Sequence, residues 1–123
     1  MMFEKSNKWI GLSGAGAVLT GLLISTGTLA ADSSVIAEGK ELAFDRSKGN
    51  CLACHMIVDG NLPGNIAPPL IAMKGRYPNK AELRKQIWDA TVKNPESSMP
   101  PFGKHNILTQ QELDKVVEYI WSL

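Results

Sequence analysis

The stretch Cys51-Leu52-Ala53-Cys54-His55 holds the only two cysteines of the chain. Four chemistries compete for two thiols at that spacing. A disulfide between them would close a tiny loop and staple little. A thioredoxin-like redox pair needs a βαβ setting, and no run of this sequence alternates convincingly over strand length. A zinc site needs a second pair of ligands at comparable spacing, and only His105 remains to supply one. The fourth chemistry fits an exported chain: C-x-x-C-H is the attachment sequence of a c-type haem. The spacing has a physical basis. Two thiols three residues apart at the start of a helical turn lie about one turn apart on one side, where both can add to vinyl groups of a single ring. The next residue, His55, then offers its imidazole to the iron from that same side.

Export is legible at the start of the chain. Lys5 and Lys8 precede a run from Trp9 to Ala30 that carries no charge. Thr28-Leu29-Ala30 ends it with small residues three apart, followed directly by polar sequence. A basic start, an apolar middle and a small-residue end describe a secretory leader cut after Ala30, which delivers the mature chain to the periplasm. The alternative is a retained anchor, since the run is long enough to span a bilayer. Cleavage is the preferred reading, and it divides the chain into a leader, 1–30, and a domain, 31–123, of 93 residues. Lys5, Lys8 and Glu4 leave with the leader, so eleven basic and eleven acidic residues remain. A formally neutral domain without a basic patch gives no reason to expect nucleic acid. A domain this short buries only a modest core, and a covalently held haem would add the apolar bulk it lacks.

The remaining pattern predicts an all-α domain, three to five helices separated by long Pro/Gly-rich loops. Val35 to Lys48 reads as a helix, with Gly39 inside it as a mark of close packing. Residues 59–70, DGNLPGNIAPPL, are turn chemistry almost throughout. Asn79 is a candidate N-cap for a helix KAELRKQIWDATVK that ends at Asn94-Pro95. Thr109-Gln110-Gln111-Glu112 is a capping box, and Leu113, Val116, Val117 and Ile120 then form an apolar stripe at helical spacing. Loops this long in a small domain usually wrap a ligand or perform a function.

A metal-bound histidine usually donates its other ring N–H to a carbonyl or carboxylate. The run Ala67-Pro68-Pro69-Leu70 offers carbonyls within reach, and Pro68 is the candidate acceptor for His55. For the sixth iron position the candidates are His105 and the methionines Met56, Met73 and Met99. Met56 adjoins His55 and stays on its side of the ring; Met73 follows the Pro68-Pro69 turn closely and belongs to the same wall. Met99 lies 44 residues beyond His55, in PESSMPPFGKHN, on a loop able to cross to the far face. Pro100 biases Met99 toward extended backbone, and Pro100 with Pro101 removes two N–H donors beside a buried iron. Phe102 is placed to pack on the haem. His105, beside Lys104 and Asn106, has a more solvated setting and ranks second. His/Met ligation closes both axial positions, which suits electron transfer. No Ser/His/Asp set or paired carboxylate stands out. Asp89 and Glu112 to Asp114 read as solvated helix faces, and Trp88 and Trp121 as core residues, with an interface role as the alternative.

CLACH, the APPL turn and a methionine loop before a final helix resemble class I cytochrome c. That resemblance implies a helical fold around one haem c, with His55 and Met99 as axial ligands. It implies that Pro68 accepts the His55 N–H, with Ala67 standing where the family has glycine. It also puts Gly39, Phe44 and Tyr119 where the family crosses its terminal helices. GNCLACH, RYPNKAELRKQIWDAT and NPESSMPPFGKHNILTQQELDKVVEYIWSL are more specifically similar to the SoxX family, the mono-haem subunits of the sulfur-oxidising (Sox) system. For such a chain the resemblance implies a periplasmic heterodimer with a SoxA-type cytochrome. The complex conjugates thiosulfate to a cysteine of a SoxYZ-type carrier, with the catalytic centre on SoxA. The SoxX-like chain would itself be non-catalytic and relay electrons to a soluble cytochrome c. A free-standing mono-haem shuttle is the alternative.

Overall fold

The computed structural model describes residues 28–123, so the expected leader falls almost wholly outside the described residues. Among the described residues four α-helices make the fold: α1 Thr28–Phe44, α2 Met73–Arg76, α3 Lys80–Trp88 and α4 Gln110–Ser122. Two short 3-10 turns, Cys51–Ala53 and Ala90–Val92, join them, and among the described residues there is no strand. None of these helices is long and apolar enough to cross a membrane.

The last helix organises the rest. Thr109 accepts from the Glu112 amide and Glu112 accepts from the Thr109 amide, so the capping box satisfies two donors that the helix start would otherwise leave unpaired. Leu113, Val116, Val117 and Ile120 are all buried, as their spacing requires. Leu83 and Ile87 of α3 bury into the same core. Lys80 to Glu118 at 2.5 Å and Arg84 to Asp114 at 2.6 Å close the exposed side of that contact.

The first helix crosses the last at a point where there is no room for a side chain. A Cβ on Gly39 would lie 2.0 Å from the Lys115 carbonyl oxygen and 3.0 Å from Tyr119 Cβ. Near the crossing, Phe44 packs edge-on against Tyr119 with ring centres 5.9 Å apart, and Lys115 pairs with Glu38. The α1 boundary differs from the sequence expectation. The helix stops at Phe44 because residues 45–50 turn on Asp45, whose side chain accepts from the Ser47 amide and hydroxyl and whose carbonyl accepts from Asn50.

Two further elements depart from the sequence pattern. The α3 helix ends at Trp88, and Asp89 turns out of it with φ −155° and ψ 94° before starting the turn Ala90–Val92. The α2 helix is a single turn entered through Ala72, a non-glycine residue at φ 50°.

Candidate haem site

The cysteine motif is held by the backbone on both sides. Gly49 donates to Leu42 at 3.0 Å and Asn50 enters the 3-10 turn with φ 46°. His55 donates its amide to the Cys51 carbonyl at 2.9 Å, so residues 51–55 close one helical turn. The following loop is latched onto that turn by its amides: Gly64 to Leu52 at 2.7 Å, Ala67 to Cys54 at 3.1 Å and Leu70 to Met56 at 2.9 Å. A Cβ on Gly64 would sit 2.1 Å from the Ala53 carbonyl oxygen, so the loop lies flat against the motif. The loop thereby brings the Pro68 carbonyl 2.6 Å from His55 Nδ1. A carbonyl only accepts, so the hydrogen is on Nδ1 and the lone pair of the ring is on Nε2. Arg76 donates to the next carbonyl, Pro69, at 2.7 Å.

Cys51, Cys54, His55 and Met99 all line one cleft of about 760 Å³, within the range of pockets that hold a cofactor-sized ligand. No disulfide joins Cys51 and Cys54, and before alkylation burial pushes the Cys51 thiol up to about 11. The walls are apolar, including Leu70, Met73, Leu83, Ile87, Val116 and Ile120. Arg46, Lys48 and Arg76 bring cationic groups to the same cleft. These residues fit a haem: two thiols for its vinyl groups, an imidazole whose lone pair is directed by Pro68, a thioether, apolar walls and cations for acidic substituents. Among the described residues no three His, Cys, Asp or Glu side chains gather as a metal-ion cluster would need.

The Met99 loop supplies the remaining wall. Met99 is half-buried and donates its amide to Ser97 Oγ at 3.3 Å. Pro100 and Phe102 line the cleft with it, and Phe102 is buried. His105 does not line the cleft and is exposed, because the turn from Pro101 to Asn106 carries it outward, with its amide on the Pro101 carbonyl. Met73, assigned from sequence to the proximal wall, is fully buried and lines the cleft. Met56 is exposed and does not line it.

One sequence expectation is overturned here. Asp89 is not a solvated helix-face residue: it is buried, and Thr91 and Lys104 satisfy its carboxylate. The Lys104 ammonium, then the Thr91 hydroxyl, hold its carboxyl below the ordinary carboxylate value against the opposing effect of burial. The signal was present in Trp88-Asp89-Ala90-Thr91, an Asp two residues before a Thr, which favours a turn that leaves the helix. Glu112 and Asp114 stay at the surface, paired with Lys48 at 2.8 Å and Arg84 at 2.6 Å. Trp88 and Trp121 pack half-buried against the core.

Fold and site together define a c-type cytochrome domain. Residues 35–120 match the family described as cytochrome C oxidase, cbb3-type, subunit III, and the chain belongs to that family. Membership implies haem c binding, and the protein is an electron-transfer cytochrome. A chain in the crystal structure of SoxXA from P. pantotrophus is similar to it, with a TM-score of 0.63 and 28% identity over 70% of this chain and 79% of that one. That similarity bears out the SoxX-like character of the sequence. An uncharacterized lipoprotein of Aquifex aeolicus (strain VF5) is 32% identical over 74 residues, or 59% of this chain. The present chain spans only 36% of that relative's length.

Proposed function

We propose that this chain is the electron-relay subunit of a periplasmic, SoxAX-type complex that oxidatively conjugates thiosulfate to a cysteine of a SoxYZ-type carrier protein. The observation that carries the reading is the convergence of Cys51, Cys54, His55 and Met99 on one apolar cleft. One covalent haem c, when bound, supplies a one-electron couple. Cys51 and Cys54 would hold it through thioether bonds, and His55 and Met99 would take the two axial positions. Pro68 orients His55, since its carbonyl holds the hydrogen on Nδ1 and leaves the Nε2 lone pair that would bind the iron. Phe102 covers the cleft beside Met99 and keeps water from it. A haem held by both His55 and Met99 would supply electron transfer and would leave substrate no open iron site.

Neither cysteine is left as a nucleophile once alkylated, so sulfur transfer belongs to a partner. That partner is a SoxA-type cytochrome, and the electrons pass on to a soluble cytochrome c. The match to a chain of SoxXA supports this placement over a free-standing shuttle. Two measurements test it. The purified chain should show the α-band of a reduced c-type cytochrome, and its absence would sink the haem assignment. A tagged chain should retain a second cytochrome and support thiosulfate-dependent reduction of cytochrome c. A chain that purifies alone and adds nothing to that reduction is a shuttle.

A further inference from the structure

We propose that Asp89 is a positioning residue for the sixth iron position: its carboxylate clamps the two ends of the loop that carries Met99. The clamp rests on the assignment of Met99 as axial ligand, and its test below separates the two.

The loop leaves and returns at one point. On the outgoing side, Thr91 gives its amide, at 3.0 Å, and its hydroxyl to Asp89 Oδ1. On the returning side, Lys104 gives its ammonium to Asp89 Oδ2 at 2.8 Å. The backbone doubles this closure, since the Gly103 and Lys104 amides donate to the Trp88 carbonyl at 3.2 and 3.3 Å. Gly103 lies flat on the Trp88 indole, where a Cβ would come within 1.9 Å of the ring. Residues 92–103 therefore form a closed strap based on Trp88 and Asp89, with Met99 in its span. Asp89 is only 5% exposed, and among the described residues it is the one charged side chain that is buried. Lys104 is half-exposed, so opening the strap breaks a charge-assisted hydrogen bond at its base as well as the bond at the ligand. Within the strap the ties are local and exposed, such as the Glu96 amide on Asn94 Oδ1 at 3.2 Å. They shape the loop; across to the body of the domain the strap adds an exposed pair of Lys93 with Glu82 at 3.7 Å and the buried Phe102.

The consequence is a gate on the sixth position. An external ligand binds the iron only in the fraction of molecules whose strap is open, so its apparent affinity reports that fraction. The test uses the haem-loaded full chain with Asp89→Asn and Lys104→Met, which remove the charge pair with little change in shape. Lys40→Met serves as control, because it breaks an exposed pair with Asp59 away from the strap. Both clamp variants should bind imidazole to the ferric protein about tenfold more tightly or better. In both, the Gly103 and Lys104 amides should exchange hydrogen at least about tenfold faster while Leu113 in α4 keeps its protection. The control should match wild type in both measurements. Unchanged strap exchange in both variants overturns the proposal. So does faster strap exchange with unchanged imidazole affinity, or an equal loss of protection in α4, which marks a general structural role. The Met99 assignment is judged separately, by whether Met99→Ala abolishes the weak methionine-to-iron absorption at the red end of the spectrum.

Discussion

Met99 and His105 stand six residues apart on one loop, and either can ligate iron, yet only Met99 faces the cleft. The difference arises from backbone. Pro100 disfavours a helical backbone at Met99, while the turn closed by the His105 amide on Pro101 and the Asn106 amide on Gly103 directs His105 to solvent. Asn106 completes that turn at φ 54°, a left-handed value that asparagine tolerates better than most residues. Met99→Ala should therefore open the sixth position, abolish the red absorption and expose the ferric iron to added imidazole. His105→Ala should leave both unchanged. Absorption spectra of the two ferric variants decide the matter, and the reverse pattern would exchange the roles of the two residues.

At the scale of elements, the α1 and α4 crossing makes the sharpest demand on a single position. A Cβ on Gly39 meets backbone at Lys115, not the movable end of a side chain, so the helices must part to admit one. Gly39→Val should cost about 2–3 kcal/mol or more, read as a lowered urea midpoint of the haem-loaded chain. An unchanged midpoint would mean that the two helices pack more loosely than this. This crossing also shows what sequence can convey. Gly39 is costly inside a helix, so its presence there signals close packing, and the Thr109 to Glu112 box fixes the start of α4 by local bonds alone. The cysteine motif was legible for the same reason: its spacing is its chemistry. Other features depend on partners far along the chain. The stop of α3 at Trp88 is written locally, in the Asp89 side chain that accepts from the Thr91 amide, but the pairing of Asp89 with Lys104, fifteen residues away, leaves no trace in helical propensity. The single turn α2 is too short for any periodicity to reveal. The glycines and prolines of residues 59–70 announced turns. That their amides latch onto Leu52, Cys54 and Met56, and so deliver Pro68 to His55, is a matter of tertiary contact.

For the molecule as a whole, the charged groups and one buried phenol predict stability limits at both ends of the pH scale. Asp45, Glu82, Asp89 and Glu112 all have folded-state values below their ordinary ones. Glu112 is representative: the Lys48 ammonium contributes most, followed by the Thr109 amide, and its ordinary value is 4.5. Between the lowered and ordinary values the unfolded chain binds more protons than the folded one, so stability rises with pH there. Their contribution is fully present above about pH 5 and is lost progressively as the pH falls below the ordinary carboxylate values toward the folded ones. The alkaline limit has the opposite sign. Tyr119 is pushed from 10.0 up to about 12, by burial first and then by the negative charge of Asp59. Its hydroxyl is buried and has no hydrogen-bond partner among the described residues. Here the folded state keeps the proton that the unfolded state loses, so this stability is present below pH 10 and disappears as the pH rises through about 12. Tyr119→Phe isolates the effect. It deletes an oxygen without a hydrogen-bond partner among the described residues and keeps the ring that packs on Phe44, so at pH 7 its urea midpoint should equal or exceed that of wild type. Between pH 10 and 11.5 the wild-type midpoint should fall more steeply than that of the variant, while below pH 5 the two should decline together. Parallel alkaline slopes would show that the phenol does not titrate against the fold.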